Sequence, residues 1–136
     1  MENFTVKYVE DIAIIKVDLI TATLRDSQAL WDTMDLESIF EKKKIVIDLS
    51  GCNFVDSTFI GMIVKVFRYL KENDATLKLV FPQITDLDSF RVIGITKILD
   101  CYHSVSNALE SFNSDSSVQK IDFEDNGMPV NFLREK

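Results

Sequence analysis

At 136 residues, with 46% hydrophobic and 27% charged side chains, the chain has the size and balance of one soluble globular domain. Its net charge of −7, from 15 basic and 22 acidic residues, argues against a nucleic-acid partner, which needs a basic stripe to neutralise phosphates. No apolar run approaches the ~18–20 residues of a transmembrane helix, and Met1-Glu2-Asn3-Phe4-Thr5 lacks the basic and apolar parts of a secretory leader, so a cytoplasmic location is expected.

Residues Asn3 to Val9 alternate loosely through Phe4, Val6 and Tyr8, and Ile12 to Val17 form a second β-rich run. Glu10-Asp11 reads as a tight turn between them, so a β-hairpin opens the domain. An irregular link with several threonines follows Asp18-Leu19. Asp26 or Ser27 is then expected to cap a helix carrying Leu30, Trp31, Met34, Ile39 and Phe40, closed by Lys42-Lys43-Lys44.

Lys44 to Leu49 is the third strand, and its nearly continuous Ile45, Val46, Ile47 and Leu49 predict cover on both faces. After a polar turn, Asp56-Ser57-Thr58 stands directly ahead of a helix running from Ser57 to about Asn73. Ile60, Ile63, Val64, Phe67 and Leu70 share a core face at helical spacing. Phe59, Met62, Val66 and Tyr69 form a second apolar set. Either they pack against a neighbouring helix or they offer a partner-docking surface.

Thr76 to Phe81 is a fourth strand ended by Pro82, and Thr85 or Asp86 starts a short helix closed by Gly94. Ile98 to Tyr102 reads as an edge strand, and Ser104 leads a final helix with Val105, Ala108, Leu109 and Phe112. From Asn113 the run Asn-Ser-Asp-Ser-Ser is a linker, so residues 1–112 form the domain and 113–136 an extension. Strand–helix alternation after the hairpin predicts an α/β fold, a small mixed sheet covered by helices.

Cys52 and Cys101 belong to no Cys-x-x-Cys motif and read as free buried thiols in a reducing compartment. The single histidine, His103, is expected on the surface near a helix start and cannot alone build a metal site or a Ser-His-Asp triad. No catalytic residue, metal or cofactor is therefore expected. A receiver domain with Asp48 as phosphoacceptor would need an acidic pair after the first strand, where Asp18 stands alone.

Ser57 has two readings from its position: a helix cap, or a hydroxyl at a helix N-terminus that accepts a phosphate. The block Ile45–Ser57, with Asp48-Leu49-Ser50 and then Asp56-Ser57-Thr58, resembles the core of the STAS domain, the family that includes bacterial anti-sigma factor antagonists. Leu77-Lys78-Leu79-Val80 resembles its next strand, and Phe90 to Ile98 its helix-to-strand segment. The resemblance runs from about Phe4 to Phe112 and is specific from Ile45 to Leu99. One departure stands out: the family's common glycine after the serine pair is Phe59 here, with Gly61 two positions on.

The resemblance implies a regulatory switch rather than an enzyme. Unphosphorylated, the protein would bind a kinase-type anti-sigma factor. Phosphorylation from ATP at Ser57, or at Thr58 as second choice, would release it, and a phosphatase would reset it. Asp56, Ser57, Thr58, Phe59, Met62 and Val66 would form the partner surface, and a homodimer is compatible with the extra apolar helix face. The alternative is a non-phosphorylated STAS scaffold, or a subunit of a multi-protein or membrane-associated assembly.

Overall fold

The computed structural model describes residues 3–82 and 94–113. Strands β1 (Phe4–Val9) and β2 (Ile12–Val17) form the expected hairpin, in antiparallel register from Phe4 opposite Val17 to Val9 opposite Ile12. Glu10 makes the turn with a left-handed backbone, φ 56°. The chain then adds a two-residue strand β3 (Thr21–Ala22) and helix α1 (Leu24–Leu36). Strand β4 (Lys44–Asp48), strand β5 (Phe54–Val55) and helix α2 (Ser57–Glu72) follow. Strands β6 (Thr76–Val80) and β7 (Asp100–Tyr102) and helix α3 (Val105–Asn113) complete the described elements.

The main sheet has the order β1-β2-β4-β6-β7, with every pairing parallel except the opening hairpin. Each parallel step moves in the same direction across the sheet. A right-handed crossover therefore puts α1 and α2 on one face, where they meet Ala13, Ile15, Val17, Ile45, Ile47, Leu77 and Leu79 in the larger core. The opposite face carries Ile12, Ile14, Val46, Val80 and Tyr102, packed with Ala108 of α3. The fold is thus the mixed sheet covered by helices that strand–helix alternation implies.

Helix α1 departs from expectation at both ends. It starts at Leu24 because Thr23 is the cap, and Asp26 sits at the third helical position, where its Oδ2 accepts the Thr23 N–H at 3.0 Å. That is half of a capping box, with Asp26 as the reaching partner rather than the cap. Ser27 is buried and donates to Leu24 O at 2.8 Å. The helix stops at Leu36. Ser38 turns left-handed, φ 58°, and sends Ile39 into the core through a short 3₁₀ turn, Ile39–Glu41. The lysine cluster therefore does not close α1. Lys43 Nζ instead donates to Asn73 O at the end of α2, 2.7 Å, and Lys44 pairs with Asp11 at 3.3 Å.

Ser104 caps α3 as expected, its hydroxyl accepting the Asn107 N–H at 3.0 Å, and Asn113 is the last helical residue rather than the first of a linker. His103 is exposed, and both cysteines are buried and free. The expected helix from Thr85 or Asp86 to Ile93, and the extension beyond Asn113, lie outside the described residues. Gly94 carries the left-handed backbone a helix-ending glycine needs, φ 70°.

Candidate functional site

The site is built where β4 gives way to α2. Asp48, 5% exposed at the end of β4, accepts the Ser50 N–H at 2.9 Å and so shapes the turn that follows. That buried role leaves no open carboxylate for the receiver-type chemistry considered from the sequence. Cys52 N–H donates to Leu49 O (2.9 Å), and Leu49 N–H to Val80 O (2.9 Å), which anchors the turn to the sheet. Beyond it the chain is clamped to the link before α1. Asn53 and Phe54 N–H groups donate to Ile20 O at 2.7 and 3.2 Å, and Asp56 N–H to Ala22 O at 3.0 Å. β3 and β5 exist for this clamp, pairing Thr21 with Phe54 and Ala22 with Val55.

Asp56, not Ser57, is the cap of α2. Its Oδ1 accepts the Phe59 N–H at 2.9 Å and the Thr58 hydroxyl at 2.7 Å, while Oδ2 accepts the Leu24 N–H of α1 at 3.2 Å. Burial works against ionisation, but these bonds, led by the Thr58 hydroxyl and the Phe59 and Leu24 amides, outweigh it. The carboxyl is held below its ordinary range.

Relieved of capping, Ser57 is the first helical residue. It is exposed, and its hydroxyl makes no hydrogen bond among the described residues. Thr58 is exposed too, but its hydroxyl is engaged by Asp56. The structure brings Asp56, Ser57 and Thr58 together at one helix start. It does not bring Phe59 and Val66 to the surface beside them. Both are 0% exposed, and with Ile60, Ile63, Val64 and Leu70 they fill the core against the sheet and α1. These two are therefore removed from the expected docking surface. An α2 packed between a sheet and a neighbouring helix buries a broader arc than a single stripe. Met62 is half-buried against that core and Tyr69 is 42% exposed.

The apolar surface at this end comes from elsewhere. Ile20 and Leu24 are both 66% exposed and Phe54 41%, all on the backbone segments that the Ile20 and Asp56 hydrogen bonds tie to the site. Sequence reading missed them because it placed Ile20 in a link and began α1 after Leu24. The signal was an apolar pair flanking a threonine-rich link with no helical or strand period to absorb it. Gly61, on the same helical face as Ser57, is exposed, and a Cβ built there meets nothing within 4 Å. Among the described residues no group of three or more His, Cys, Asp or Glu is placed to hold a metal. No described helix is long and apolar enough to cross a membrane.

A family profile described as STAS domain matches residues 6–108. The chain belongs to the STAS domain family. No curated protein sequence matches the chain, but solved structures share its fold. A proposed anti-sigma factor antagonist of Thermotoga maritima superposes with a TM-score of 0.70 at 21% identity, over 81% of this chain and 94% of that one. An anti-sigma factor antagonist of Mycobacterium paratuberculosis gives 0.71 at 16% identity, over 82% and 93%. The unphosphorylated form of the anti-sigma factor antagonist SpoIIAA gives 0.60 at 19% identity, over 81% and 96%. These likenesses show a common fold. In this member of the family the segment from Asp48 to Thr58 joins strand β4 to helix α2.

Proposed function

We propose that this STAS protein is an anti-sigma factor antagonist-like switch. Its unphosphorylated form binds a kinase-type anti-sigma factor, and phosphorylation at Ser57 releases it. The observation that carries the reading is the Ser57 hydroxyl, exposed and without a hydrogen-bond partner among the described residues, at the first position of a helix capped by its neighbour Asp56. Phe59 points into the core and so leaves the acceptor open, although it replaces the family's usual glycine.

In the transfer, Ser57 Oγ attacks the γ-phosphorus of ATP held by the partner. The hydroxyl proton goes to a base of the kinase, and ADP leaves. The product gains nearly two negative charges beside the ionised Asp56. Within the chain the N-terminus of α2 offsets part of that charge, so the fold is retained. A partner seated over Ile20, Leu24, Phe54 and Ser57 has no such compensation. It would have to desolvate the phosphate, and a loss of ~3 kcal/mol already weakens binding about a hundredfold.

The test is the intact mass of the chain purified from its host, with and without phosphatase, compared with Ser57→Ala. One phosphate, removed by phosphatase and absent from the variant, supports the switch. A chain unmodified under every growth condition points instead to the non-phosphorylated scaffold.

A further inference from the structure

About 18 Å along α2 from Ser57, counted over twelve residues at helical rise, lies a surface that the switch does not use. Trp31 of α1, Phe40 of the 3₁₀ turn and Tyr69 of α2 form a three-ring cluster, with centroids 4.6, 4.9 and 5.6 Å apart. Trp31 and Phe40 are half-buried, Tyr69 is 42% exposed, and Leu36 at the end of α1 is 76% exposed. Large apolar groups gathered on one exposed seam mark an interaction surface.

The charges on either side of the seam are sorted by helix. α1 exposes Asp32 and Asp35, and α2 exposes Lys65 and Arg68. None of the four is in an ion pair; among the described residues the one such pair is Lys44 with Asp11. Arg25 sits at the start of α1, two turns before Asp32, while Glu72, the acid of α2, lies one turn beyond Arg68 at the end of that helix. Lys65 stacks on Trp31 with its Nζ 5.0 Å from the ring centre, so the acidic and basic sets lie at the same height along the two helices.

We infer that this seam binds a second copy of the chain. A two-fold axis running along the groove between α1 and α2 preserves height and exchanges the helices. It sets Asp32 and Asp35 of each copy against Lys65 and Arg68 of the other, around a shared aromatic centre. The surface is self-complementary under that one operation, which is what an isologous dimer requires. Its make-up, aromatic at the middle with charge at the rim, is that of association surfaces. The dimer leaves both Ser57 ends open and does not depend on their phosphorylation.

Sedimentation equilibrium of the full chain over a range of concentrations and salt tests this. The expected result is a monomer–dimer equilibrium that weakens with salt. Lys65→Glu with Arg68→Glu, or Asp32→Lys with Asp35→Lys, should each weaken the dimer about a hundredfold by placing like charges face to face. These positions are exposed, and an unchanged far-ultraviolet circular dichroism spectrum verifies that each variant is folded. Mixing the two variants restores wild-type affinity, because every contact again joins acid to base. A chain that stays monomeric at all concentrations overturns the inference and leaves the seam to a different protein. A dimer indifferent to either pair of reversals, or not restored by mixing, overturns it as well.

Discussion

Asp56 ties the start of α2 to the start of α1: one carboxylate oxygen accepts the Phe59 N–H at 2.9 Å and the other the Leu24 N–H at 3.2 Å. The carboxylate that caps α2 also holds the first amide of α1, 32 residues away in sequence, a helix whose own cap is Thr23. The residue beside the acceptor serine is therefore a joint of the fold as well as part of the site.

Asp56→Ala should cost about 2 kcal/mol in urea unfolding, since it removes a cap and leaves a second helix amide unpaired. Asp56→Asn should cost less, because the amide oxygen still accepts. The carboxyl is held below its ordinary range by the bonds it receives. Its contribution is therefore fully present above the unfolded-state pKa, about 3.9, and is lost as pH falls through the lower folded value. The wild type should lose stability relative to Asp56→Asn across that acidic window and not above it.

Phe59 and Phe54 should separate folding from recognition. Phe59 is fully buried, so Phe59→Ala should destabilise by roughly 3–5 kcal/mol. Phe54 is 41% exposed at the Ser57 end. Phe54→Ala should move the unfolding midpoint little while weakening capture of the kinase-type partner about tenfold or more. Calorimetry on both variants checks the pair.

This contrast shows which parts of the chain were legible in its sequence. The hairpin, β4, β6 and the extent of α2 follow from β-branched runs, turn residues and a helical period. Asp56-Ser57-Thr58 was placed correctly at a helix start. What periodicity could not supply was the neighbour of each helix face. Phe59 and Val66 look surplus on a helical wheel and are buried because α1 lies beside α2. The two-residue strands β3 and β5 left no pattern, since each exists only through the other. Lys78, mid-strand and 7% exposed, owes its burial to α3, which no strand period reveals. Its amine donates to Ser111 Oγ at 2.7 Å and lies 4.4 Å from the Phe112 ring centre.

Thr33 should be improvable. It is 1% exposed, and its hydroxyl has no hydrogen-bond partner among the described residues. Thr33→Val keeps the β-branched shape and removes a desolvated polar group, so a gain of about 1 kcal/mol is expected in urea unfolding.

Gly61→Ala should also stabilise, by about 0.5–1 kcal/mol, because the helix gains propensity and the new Cβ meets no atom within 4 Å. A bulky Gly61→Arg should retain the fold yet lower partner affinity, since it stands one turn from Ser57 on the same face. Thermal unfolding and binding measured together distinguish the two effects.

Beneath the turn that presents Ser57 sits Cys52, 1% exposed, its Sγ 3.9 Å from Val17 O. Burial, with Asp48 nearby, pushes its thiol up to about 11, so at neutral pH it is covered and protonated, and hence inert to alkylation. It reacts only when the turn lifts from the sheet. The chain thus contains its own clock for the opening of the segment that carries the acceptor serine. A partner seated on Ser57 would slow that clock without any label being added near the interface.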